Sequence, residues 1–216
     1  MIGISRNVRT DSKSIALLAI FSAMVVALEV YPIVGVTDLK FQTGAAPFTI
    51  DWTGIPIVLI FVGLGFVYSL VAIAMMFIGI GYRNVPGAIF KSCAEFFTVL
   101  GLVITRYLIR DRDVDFKYQL LLYCITSLLF RGVGMFFTNI ILLPIFYPLY
   151  YGTIEVVITT SSILVPWNIL QAIINVVGGI VFYRFIPENL KQEAGLGEHH
   201  VREGLRELDE DEIDTS

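Results

Sequence analysis

Charge is scarce in these 216 residues: Asp, Glu, Lys and Arg together make up 16%, against roughly 25% in an ordinary soluble domain. Only two cysteines occur, Cys93 and Cys124, both inside apolar segments. Without a metal-ligand spacing they imply neither a disulfide framework nor a zinc site, and they read as packing residues. The only histidines, His199 and His200, lie side by side in a hydrophilic tail, so no metal site is expected. No G-x-x-x-x-G-K-[ST] phosphate loop is present, so this chain is not expected to hydrolyse ATP by itself. A nucleophile elbow and a zinc-protease motif are missing too. Gly132-Val133-Gly134 follows an apolar helical run rather than a strand, which rules it out as a dinucleotide fingerprint. Enzymatic chemistry has no visible seat.

What is abundant is apolar surface, with 56% hydrophobic residues and a mean hydropathy of +0.77. That is the composition of an integral membrane protein, multi-pass and all-α. Runs of about 20 apolar residues place helices near 14–36, 54–66, 68–82, 87–109, 118–143 and 163–186. The second and third are short; Gly63 and Gly65 interrupt the run from Ile55 to Ile80, which predicts two short helices joined by a tight uncharged turn. The first is expected to stay as helix one rather than be cleaved, because it contains Glu29 and lacks a small-residue cleavage site. The domain expectation is a cytoplasmic segment 1–13, a six-helix membrane domain 14–187 and an acidic, disordered tail 188–216. That tail holds ten Asp or Glu against Lys191, Arg202 and Arg206.

Basic residues set the orientation. Arg6, Arg9 and Lys13 precede helix one; Arg106, Arg110, Arg112 and Lys117 lie between helices four and five; Arg184 and Lys191 flank the end of helix six. Six crossings put all three groups on one side, so both termini are expected in the cytoplasm. The opposite loops carry only Lys40 and Arg83. Of the external loops at 37–53 and 144–162, the second holds Phe146, Tyr147, Tyr150 and Tyr151, rings suited either to a lid or to an interfacial aromatic belt.

Polar residues inside the spans are the candidate functional positions. Arg131 and Asn139 interrupt the run 130–150, while Asn168, Gln171 and Asn175 fall within about 60° of arc on one helix. Polar stripes on two helices point to a binding cavity. Glu29 lies roughly 140° from the centre of an alanine stripe on helix one, so it faces inward with Arg131 as candidate counter-ion. Lys91 and Glu95, spaced i to i+4, are expected to neutralise each other. The stripe itself, Ala16, Ala19, Ala23 and Ala27, lets a partner helix approach closely, although internal packing is the competing reading.

Taken in order, four segments resemble the substrate-binding S components of energy-coupling factor vitamin transporters, most closely the riboflavin-specific type. They are ALLAIFSAMVVALEV, FTIDWTGIPIVLIFVGLGFVYSL, FRGVGMFFTNIILLPIFY and VPWNILQAIINVV, and the resemblance covers roughly residues 14 to 186. It implies a protein of the cell membrane that is not an enzyme, carries no cofactor, binds no nucleic acid and captures riboflavin as transported ligand. The alanine face would dock on a transmembrane T component, with two ATPase subunits supplied by other chains, and the whole bundle would topple in the bilayer to release its ligand inside. Asn139 and Asn168 match flavin-ring asparagines of the family. Gln171 stands where the family has lysine, and Glu95 where it has asparagine in A-N-F, which leaves open an S component for a different vitamin or precursor. An asparagine both donates and accepts, as the edge of a pyrimidine-dione ring requires, yet each amide could instead pair with another helix. A small integral membrane enzyme or an assembly factor is the alternative from a different class.

Overall fold

The computed structural model describes residues 12–44, 46–109 and 114–196. Helix accounts for 78% of them, in seven segments: α1 (Ser12–Val30), α2 (Gly54–Leu64), α3 (Phe66–Gly81), α4 (Val85–Ile109), α5 (Phe116–Phe146), α6 (Ile154–Phe185) and α7 (Glu188–Ala194). Four of these, α1, α4, α5 and α6, are long and apolar enough to cross a membrane; α2 and α3 are shorter apolar helices. The chain is therefore a largely helical, multi-pass membrane protein.

Helix α5 shows why the bilayer is its solvent. Ser127, Arg131, Met135, Asn139 and Leu143 are buried, whereas Leu121, Ile125, Leu129, Val133, Phe137, Ile141 and Ile145 are exposed. Polar residues face the protein and aliphatic ones face out, the inverse of a soluble amphipathic helix. In water that stripe would be a large exposed apolar patch.

The break between α2 and α3 falls at Gly65, with φ of 102°, a region open to glycine but strained for other residues. Its N–H donates to the carbonyls of Ile60 and Phe61, both at 3.1 Å, closing off the last turn of α2. At the other end of α2, Pro56 sits in the first turn, where its missing N–H costs nothing. Helix α1 stops at Val30, short of the expected 36, because Pro32 biases Tyr31 away from helical backbone.

Three segments differ from the sequence reading or add to it. Within the loop 37–53, Asp38–Gln42 (β1) and Pro47–Asp51 (β2) form an antiparallel hairpin in which Phe41 faces Phe48 and Asp38 faces Asp51. Its short strands sit between the apolar helices α1 and α2, so hydropathy alone passes over them. The loop 144–162 shrinks to 147–153, since α5 continues through Pro144 and α6 begins at Ile154. Polar residues at the start of α6 are accommodated by bonds to the preceding turn, as when Ser162 Oγ donates to the Ile158 carbonyl at 2.8 Å. The supposed lid is thereby reduced to Tyr147, Tyr150 and Tyr151, with Phe146 ending α5 against Phe90 at 6.1 Å between ring centres. Finally, the tail expected from 188 starts with α7, where Lys191 is buried, bonds Glu188 at 2.7 Å and lies 4.8 Å over the Tyr183 ring. The rest of that tail, His199 and His200 included, lies outside the described residues, as do Arg110 and Arg112.

Lys13 Nζ donates to the Glu193 carbonyl at 2.8 Å, so the start of α1 and the end of α7 share one end of the bundle. Glycines set the spacing of the long helices. A Cβ at Gly101 would come within 2.5 Å of the Ser127 backbone, and one at Gly134 would run into the Phe97 ring, so α4 and α5 pack as closely as they do because neither residue has a side chain.

Candidate functional site

Where the hairpin meets the bundle, a continuous polar network joins five elements. It starts on α6, where Gln171 lies beside the end of β2: Nε2 donates to the Asp51 carbonyl at 2.6 Å and Oε1 accepts from the Asp51 N–H at 3.2 Å. The same Nε2 donates to Asn175 Oδ1 at 2.8 Å, and Asn175 Nδ2 donates to both oxygens of Glu95, at 3.0 and 3.1 Å. Glu95 Oε1 also accepts from Arg131 Nη1 at 2.7 Å, and that nitrogen reaches Thr98 Oγ1 at 3.0 Å. Gln171, Asn175, Glu95 and Arg131 are all buried. Each hydrogen bond here replaces water that a membrane interior does not supply.

The other arm runs from Asp51 towards α1. Lys91 Nζ donates to Asp51 Oδ2 at 2.7 Å, to Thr53 Oγ1 at 3.2 Å and to Glu29 Oε1. Thr53 Oγ1 donates to Glu29 Oε1 at 2.6 Å, while its N–H donates to Asp51 Oδ1 at 3.0 Å. Asp51 lies outside the spanning helices, and its carboxyl is pushed up to about 6, first by burial and then by the Glu95 charge. Arg83 closes the edge by donating to the Glu29 backbone carbonyl.

These contacts exchange the ion pairs expected from the sequence. Glu29 does not meet Arg131, and Lys91 does not meet Glu95; the pairs are Lys91 with Glu29 and Asp51, and Arg131 with Glu95. Along α4, i to i+4 places Lys91 and Glu95 on the same side, but Glu95 faces a guanidinium brought close by the glycine-spaced α4–α5 contact. Its oxygens are then occupied by Arg131 and Asn175. Lys91 lies one turn nearer the hairpin, where two carboxylates converge.

The chain matches no family profile, no curated protein and no solved structure.

The remaining site candidates sit apart from the network. Asn139 is buried on α5, eight residues and about 12 Å beyond Arg131, and makes no hydrogen bond among the described residues. Asn168 is buried on α6 and donates only to Leu164 of its own helix, at 3.0 Å. Among the described residues, Ser161 Oγ and Arg131 Nε are buried without a partner. Gly132 packs at Ile169 and Val165, a register of the antiparallel α5–α6 pair that brings Ser161 to the level of Asn139. Over α6, the Trp167 ring packs at a tilt against Phe41 of the hairpin, 4.4 Å between ring centres, and against Phe48 at 6.4 Å.

Ala16, Ala19, Ala23 and Ala27 are all exposed, while Ser14, Ser22 and Val25 form the buried side of α1. Asp51, Thr53, Thr98 and Ser161 escaped the sequence reading. A signal existed for the first two, since Asp51-x-Thr53 just ahead of Gly-Ile-Pro is an Asx turn leading into a helix. Gly54 is fixed by the same site, because a Cβ there would overlap the Asn175 amide and approach Glu95 Oε2 within 2.7 Å.

Proposed function

We propose that this chain is the substrate-capture subunit of an energy-coupling factor type vitamin importer, with riboflavin as its ligand. In this reading six helices cross the cell membrane with both termini in the cytoplasm, α2 and α3 being the short pair. The ligand enters from outside between the hairpin and α4, α5 and α6, and a T component with two ATPase subunits drives uptake. The chain itself carries out no catalysis.

One observation carries the reading. Among the described residues, Ser161 Oγ on α6 and Arg131 Nε on α5 are buried polar atoms without a partner, and Asn139 is a buried amide on α5. Leaving such a group unsatisfied costs about 1–3 kcal/mol, a cost that a ligand with ring carbonyls and N–H groups would remove. The aromatic trio Phe41, Phe48 and Trp167 supplies an apolar cluster on the hairpin side. The exposed alanine face of α1 leaves a smooth surface for a partner helix.

A second reading, capture of another vitamin or precursor, is favoured by the fate of Glu95 and Gln171. Both are engaged within the internal network rather than presented to a ligand. Purifying the chain and titrating it with riboflavin, following quenching of flavin fluorescence, tests the proposal. Saturable one-to-one quenching is expected; its absence removes riboflavin as the ligand.

A further inference from the structure

At the end of the bundle where α1 begins and α7 ends, an apolar groove of about 420 Å³ lies between the two helices. Leu17 and Phe21 of α1 form one wall, and Ile186, Leu190 and Leu196 the other. The exposed Lys13 and Glu193 also line it, which puts charged groups at its margin. Since roughly 150 Å³ holds a benzene-sized group, the groove has room for two or three aliphatic side chains.

The chain leaves the described fold at this groove, because Leu196 is both a lining residue and the last one before residues 197–216. Val201 follows five residues later, at most roughly 18 Å of extended chain away. Val201, Leu205 and Leu208 are spaced i, i+4 and i+7, which puts their side chains within about 60° of arc on a helix. Four of the five residues between them are charged, so this is the one face of the segment with apolar surface to bury. Its three side chains match the room available.

Charge favours this segment over residues 1–11, which adjoin the groove from the start of α1. The same end of the bundle carries Lys13, Arg106, Lys117, Arg184 and Lys191 against Asp115, Glu188 and Glu193. Contacts bring these groups together: Arg184 lies over the Phe116 ring, Arg106 over Phe61, and Lys13 against Glu193. Residues 197–216 hold eight Asp or Glu against Arg202 and Arg206, whereas residues 1–11 hold Arg6 and Arg9 against Asp11. A basic surface attracts the first and repels the second. We propose that residues 201–208 seat Val201, Leu205 and Leu208 in the groove between α1 and α7 as a helical clasp, with the acidic run 209–212 against the basic end of the bundle. The short tether gives even a weak contact an effective concentration in the millimolar range.

Trypsin digestion of the full-length protein in detergent reads the seating, because cleavage after Arg202 and Arg206 follows the population of the open form. Cleavage at both sites is expected to be at least about tenfold slower in wild type than in Val201→Ser/Leu205→Ser/Leu208→Ser, a variant that leaves the groove untouched. Oxidative cross-linking at dilute protein then locates the segment, with the joined peptides identified by mass spectrometry. Leu205→Cys paired with Leu190→Cys in the groove should cross-link far faster than Leu205→Cys paired with Ile15→Cys, a position exposed on α1 that does not line it. Equal cleavage rates in wild type and the triple serine variant overturn the proposal, as does cross-linking at both positions alike. Cross-linking only between separate chains would make the occupant a second copy. Faster cross-linking of Leu190→Cys with Ile4→Cys than with Leu205→Cys would make it the N-terminal segment. Either result also overturns the proposal.

Discussion

Gln171 meets both backbone groups of Asp51, 120 residues away, donating to its carbonyl and accepting from its N–H. A side-chain amide thus takes the place that a third strand would hold at the end of β2, and fastens the hairpin to α6. Gln171→Lys keeps a donor but loses the acceptor, leaving the Asp51 N–H without its partner. We expect a destabilisation of about 1–3 kcal/mol, read as a lower midpoint in thermal unfolding. Flavin affinity measured on the same variant separates two ligand identities: tighter binding supports riboflavin, weaker binding another native ligand.

The buried pair Arg131 and Glu95 makes a second test. Arg131→Met strands a carboxylate in the bundle interior and should cost about 3–5 kcal/mol. The double variant Arg131→Met with Glu95→Leu removes both charges and should recover most of that loss. Equal instability of the single and double variants would show that the pair is not the local source of the cost.

Asn139→Leu and Asn168→Leu are expected to weaken ligand binding roughly 5- to 150-fold while leaving the bundle folded. Neither amide holds two helices together in this structure, Asn168 bonding only within α6. Titration calorimetry that returns wild-type affinity for both variants would place the ligand elsewhere.

Ala19 and Ala23 are exposed and lie away from Glu29 and the polar network. Replacing both with Leu should therefore preserve ligand affinity and abolish ATP-driven accumulation in vesicles reconstituted with T and ATPase subunits. Accumulation at the wild-type rate would end the docking role.

The raised carboxyl of Asp51 gives a pH prediction. Its folded value of about 6 exceeds the ordinary 3.8, so between those values the folded state takes up the proton more readily than the unfolded chain. The ionised group thus costs stability above pH 6, and the cost fades as pH falls through 6 towards 3.8. On the order of 1–3 kcal/mol is involved. Unfolding midpoints compared between pH 7.5 and 4.5 should show this component in wild type and not in Asp51→Asn; the same slope in both would assign the titration to another group.

The sequence by itself determined the membrane class, the polar positions within the spans and the break near Gly65. Each depends only on the pattern along one segment: an apolar run long enough for the bilayer, a polar residue too costly to face lipid, a glycine where backbone must turn. It also determined that Glu29, Lys91, Glu95 and Arg131 need partners, because a lone charge is not tolerated there. Which partners they take was decided by tertiary structure. The choice of Glu95 for Arg131 follows from the close α4–α5 approach that Gly101 and Gly134 permit, and that of Lys91 for Glu29 and Asp51 from the hairpin reaching the bundle at Gln171. A periodicity shows which side of a helix must be covered, whereas the identity of the element that covers it depends on how helices distant in sequence pack.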